Sequence, residues 1–65
     1  MKYVTVDYEY VHQTDDAVLI LHGNDKAWIP KDLIKDGHTT DFEEDYELNF
    51  KMEVAEWFAI KKELI

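Results

Sequence analysis

Sixty-five residues make one domain at most, and so short a chain hides only about 60% of the surface its unfolded form exposes. There is no cysteine, which excludes disulfides and thiolate metal sites and fits a cytoplasmic setting. Fifteen acidic against seven basic residues give a net charge of −8, which disfavours a nucleic-acid backbone and favours basic partners.

A content of 46% hydrophobic and 14% aromatic residues argues against disorder over most of the chain. Dimerisation is a second source of stability open to a domain of this size. No apolar run approaches the roughly 20 residues of a membrane span, and the N-terminus lacks the pattern of a signal peptide. The expectation is a soluble, cytoplasmic single domain over 1–65.

In chain order, Lys2 to His12 alternates, with Val4, Val6, Tyr8 and Tyr10 on one face. That period predicts one long, half-buried strand. Thr14-Asp15-Asp16 predicts a turn built on side chains that bond their own backbone. Ala17 to Leu21 is apolar throughout and predicts a central strand covered on both faces. His22-Gly23-Asn24-Asp25 predicts a hairpin into a third strand, Ala27 to Ile29.

Pro30 cannot donate to a ladder and should end that strand, with Lys31-Asp32-Leu33-Ile34 as one tight helical turn folding Leu33 and Ile34 inward. Asp36-Gly37 is a stop. Between Asp36 and Glu47 there are six carboxylates and no lysine, so this stretch holds −6 of the −8. It reads as an exposed acidic loop over 36–45, pinned by Phe42. Tyr46, Leu48, Phe50, Met52 and Val54 alternate with polar residues and predict a fourth strand. Over 54–64 the period becomes helical: Val54, Trp57, Phe58, Ile60 and Leu64, with Ile65 just beyond, share roughly 160° of a helical wheel, and Lys61, inside that stripe, lays its stem on the core and snorkels its amine out. The expected fold is α+β: a small antiparallel sheet or Src-homology-3-like barrel of about four strands closed by one C-terminal helix. Trp28 and Trp57 would mark the two ends of its core.

Two stretches carry a resemblance. Thr14-Asp15-Asp16-Ala17-Val18-Leu19-Ile20, leading to Trp28-Ile29-Pro30-Lys31-Asp32-Leu33-Ile34, is one. Glu56-Trp57-Phe58-Ala59-Ile60-Lys61-Lys62-Glu63-Leu64 is the other. Together they resemble a group of very small proteins of bacteriophages and bacterial genomes, with a Trp-Ile-Pro-Lys-Ser-type turn and a closing Trp-Phe/Leu-Ala-x-Lys-Lys-x-Leu helix. This chain has Asp32 in place of that serine and a longer, more acidic connection. The resemblance covers about half the chain, implies a phage origin and carries no site residues. The strand, proline and helical turn also look like the end of a Src-homology-3 barrel, where such residues line a peptide groove. In this chain the acidic segment precedes the fourth strand instead of lying between the first two.

Candidate chemistry is sparse. His12, His22 and His38 stand alone; His22 with Asp25, or His38 with Asp36 and Asp41, are the only metal pairings in sight, and neither has the spacing of a metal motif. The acidic stretch lacks the fixed spacing of a calcium loop. There is no serine or cysteine nucleophile and no glycine-rich phosphate loop. The expectation is no enzyme, no cofactor and no metal. The leading function is a phage-encoded interaction module that binds a basic protein surface through Asp36, Asp41, Glu43, Glu44, Asp45 and Glu47, acting as an inhibitor or nucleic-acid mimic. The alternatives are a small nucleic-acid-binding barrel with Tyr3 and Trp28 as an aromatic face, and a homodimer through the helix stripe or an open strand edge.

Overall fold

Tyr8 divides the first alternating run into two strands that belong to different sheets. In the computed structural model, which describes residues 1–65, β1 (Tyr3–Asp7) pairs antiparallel with β5 (Lys51–Ala55). Strand β2 (Glu9–Gln13) pairs with β3 (Ala17–His22), and β3 with β4 (Asp25–Pro30). The single strand expected over Lys2 to His12 is therefore corrected. Alternation reports which face a side chain takes, and Val6 and Tyr8 are both buried as expected. It does not report which neighbour the backbone bonds, and here that neighbour changes at one residue. The Tyr8 amide donates to the Phe50 carbonyl at 3.0 Å, and from Glu9 onward the partner is β3. A bulge follows: Tyr10 faces Ile20 and His12 faces Leu19, so Val11 is the extra residue and stays exposed.

The Thr14 turn forms as expected, its hydroxyl accepting from the amides of Asp16 and Ala17. Strand β3 is central in its sheet but is not covered on both faces. Val18 and Ile20 are fully buried, whereas Leu19 on the opposite face lies half-exposed between Trp28 and His12. Gly23 takes φ +63 at the first position of the two-residue hairpin loop, a place suited to glycine.

Pro30 ends β4, and a 3-10 turn spans Lys31–Leu33 with its first amide donating to the Asp16 carbonyl at 2.8 Å. Ile34 is buried and bridges to Val54. Gly37 is buried, and a side chain there would run into the Lys31 carbonyl oxygen.

The acidic segment is the largest correction. It is a loop only as far as Asp41; helix α1 spans Phe42–Asn49. Asp41 is its N-cap, with Oδ1 accepting from the amides of Glu43 at 3.1 Å and Glu44 at 3.4 Å. Glu43, Glu44 and Asp45 fill the first turn, where the helix dipole favours carboxylates. The alternation from Tyr46 to Val54 is strand only from Lys51; Tyr46 and Leu48 are helical.

The closing helix α2 is Glu56–Lys61, shorter than expected because Val54 and Ala55 belong to β5. It ends in a Schellman motif: Glu63 adopts φ +57, its amide donates to Ile60, and the Leu64 amide donates to Ala59. That turn drops Leu64 into the core beside Phe58 and Ala59. Neither tryptophan is in the core. Trp28 is 48% and Trp57 54% exposed, so they do not mark its ends. The core is instead aliphatic residues around the rings of Tyr8, Phe42 and Phe58, with Phe42, Ile20, Ile29, Val6, Val18 and Val54 fully enclosed. The fold is α+β with two small antiparallel sheets joined through the bend at Tyr8. No helix is long and apolar enough to cross a membrane.

Candidate functional site

Helix α1 sorts the acidic residues into those the fold uses and those it leaves free. Phe42, Asp45, Tyr46 and Asn49 follow helical spacing and form the inward side, with Phe42 buried and Asp45 and Tyr46 half-buried. Beneath them lies Tyr8, 3% exposed. Its hydroxyl proton sits between the Phe42 carbonyl at 3.0 Å and Asp45 Oδ2 at 3.1 Å. Burial, and then the Asp45 carboxylate beside it, hold this phenol well above its ordinary range, so it stays protonated. Asp45 also accepts from Asn49 Nδ2 at 3.0 Å.

Of the six expected partner-binding residues, Asp41 is thus a helix cap that also takes a bond from Gln13 at 3.4 Å, and Asp45 is a buried-edge acceptor for Tyr8. Asp36 sits in the preceding turn at φ +57, its carbonyl capping Thr39 and Thr40. Glu43, Glu44 and Glu47 are exposed and make no ion pair or side-chain hydrogen bond. The lysines that do pair are committed elsewhere: Lys2 to Glu56 at 3.3 Å, Lys35 to Glu53 at 3.7 Å and Lys51 to Asp7 at 3.4 Å. Leu48, on the same outward side, is 71% exposed. The outer face of α1 is therefore three uncompensated carboxylates around an apolar knob.

Tyr3 and Trp28 are not brought together by pairing. Tyr3 lies opposite Ala55 in one sheet and Trp28 opposite Leu19 in the other. The ring neighbour of Trp28 is His12, 6.5 Å away and edge-on. His38 meets Asp32 at 2.6 Å and not Asp36 or Asp41, and His22 bonds the Asp7 carbonyl at 3.0 Å and not Asp25. No three His, Asp or Glu residues converge as a metal site would require.

Sequence reasoning missed Leu48 and Phe50 as surface residues, because strand alternation assigned them inward. The missed signal was Asp41 followed three residues later by Glu44, the pattern that opens a helix. No protein-family model matches the chain, and no curated protein or solved structure matches it either.

Proposed function

We propose that this domain is a protein-interaction module whose outward α1 face docks on a basic surface of another protein. The observation that carries this reading is the separation on one short helix. Asp41 and Asp45 are bonded into the fold through their side chains, while the side chains of Glu43, Glu44, Glu47 and Leu48 stand exposed without a bond or ion pair to it. Carboxylates without counter-ions around an exposed leucine attract a basic partner by long-range field and give it an apolar contact on arrival. Three negative charges within little more than one helical turn also suit a surface that otherwise holds phosphates, which is how such a module would act as an inhibitor. A phage-type origin and a Src-homology-3-like closing of the two sheets belong to the same reading, supported by the two sequence stretches and by the order strand, proline, 3-10 turn.

Capture from a host lysate tests it. The E43Q/E44Q/E47Q variant should keep the folded circular dichroism spectrum of the parent and lose the captured basic protein. An unchanged catch, or one insensitive to salt, contradicts the proposal.

A second reading has its own observation. Trp57 and Ile60 stand on the outer side of α2 at 54% and 59% exposure, with Ile65 exposed just beyond. A homodimer through that face would bury them, and sedimentation equilibrium would show it as a doubled mass.

A further inference from the structure

The bend at Tyr8 opens a surface groove of about 570 Å³ between the end of α1 and the β3–β4 hairpin. Its apolar side is Leu21, Tyr46 and Phe50, and its polar side includes Glu9, His22 and Asn49. The polar groups are acceptors. His22 Nδ1 lies 3.0 Å from the Asp7 carbonyl, which can only accept, so a neutral ring carries its proton there and presents Nε2 as an acceptor. Asn49 donates its Nδ2 to Asp45, which leaves Oδ1. Glu9 has no ion-pair partner, and the one cation in the wall, Lys51, is held by Asp7 at 3.4 Å.

Phe50 adds the aromatic surface at a cost. It adopts φ +59, a left-handed conformation that is unfavourable for a bulky side chain, although glycine or asparagine would take it easily. Phe50 is 54% exposed, and its ring meets Tyr46 edge-on at 5.3 Å. The groove thus combines aromatic rings, an unpaired carboxylate and further acceptors on a chain of net charge −8.

We propose that this groove receives an arginine side chain from the basic protein that α1 engages. The guanidinium plane lies against the exposed Phe50 ring, with the nearly perpendicular Tyr46 ring at its side, and its N–H groups turn toward Glu9, Asn49 Oδ1 and His22 Nε2. Arginine fits better than lysine because its planar fork offers five donors in fixed directions and its weak hydration favours stacking on rings. This inference rests on the proposed function for its partner but uses different residues, so the two can fail separately.

The test is heteronuclear NMR of the ¹⁵N-labelled full chain titrated with the blocked tripeptide acetyl-Gly-Arg-Gly-amide and its lysine and citrulline counterparts. Saturable shift changes at Glu9, His22, Asn49 and Phe50 are expected with arginine, with affinity at least tenfold weaker for lysine and lost for citrulline. F50G, which suits the backbone while removing the ring, should remain folded and weaken arginine binding at least tenfold. E9Q, at an exposed position, should weaken it several-fold, and D15N, in the Thr14 turn away from the groove, should leave it unchanged. Equal response to arginine and lysine, no saturable response, or full binding by both F50G and E9Q overturns the proposal.

Discussion

The Tyr8 hydroxyl lies 3.1 Å from the Asp45 carboxylate, and this contact ties the bend in the first strand to the inner face of α1. The same hydroxyl reaches the Phe42 carbonyl, so one phenol joins the strand break, the helix and the aromatic contacts to Phe42 and Tyr46. Y8F removes the donor that the Phe42 carbonyl and the half-buried Asp45 carboxylate share, so each loses one bond inside the fold. It should cost about 1–3 kcal/mol in urea unfolding, with little change in circular dichroism of the folded state.

The same phenol sets an alkaline limit. Its folded pKa is raised, so the protonated form is favoured by folding. That contribution is complete below the ordinary phenol value of about 10 and is lost as pH rises beyond it. Melting temperature should fall above pH 10 more steeply for the parent than for Y8F. Absorbance near 295 nm should show one of the four tyrosines resisting ionisation until the domain unfolds.

Much of the β architecture was legible. The hairpin at Gly23, the stop at Pro30 and the inward faces of Val6, Tyr8, Met52 and Val54 all follow from local rules that depend on one residue or one period. The acidic segment was not legible by charge alone. An acidic run looks solvated, yet Asp41 caps a helix and Phe42 and Tyr46 anchor it four residues apart. Alternation from Tyr46 to Val54 competed with that spacing and hid it, because Tyr46, Leu48 and Phe50 fit a period of two as well. The free face of α1 could be recognised only once the helix separated Glu43, Glu44 and Glu47 from Asp41 and Asp45.

That separation makes a contrast in stability. D41A removes the cap and should cost about 0.5–2 kcal/mol, with loss of helical signal from α1. E43Q/E44Q/E47Q should stay within about 0.5 kcal/mol of the parent for each substitution, since no contact is lost. Chemical denaturation of the two variants side by side checks both.

Two backbone positions predict opposite signs. G37A places a methyl group against the Lys31 carbonyl and should destabilise by about 1–3 kcal/mol through displacement of the 3-10 turn. E63G relieves a left-handed residue at the end of α2, offset in part by glycine's greater unfolded freedom, and should stabilise by about 0.5 kcal/mol. Thermal melts of the two variants should shift in opposite directions.

The outward side of α1 is the surface that must meet the proposed partner. NMR of the labelled domain with and without the captured basic protein measures this directly. Shift changes and line broadening should centre on Glu43, Glu44, Glu47 and Leu48, spreading to Phe50. Changes centred on Trp57 and Ile60 of α2, with α1 silent, would contradict it.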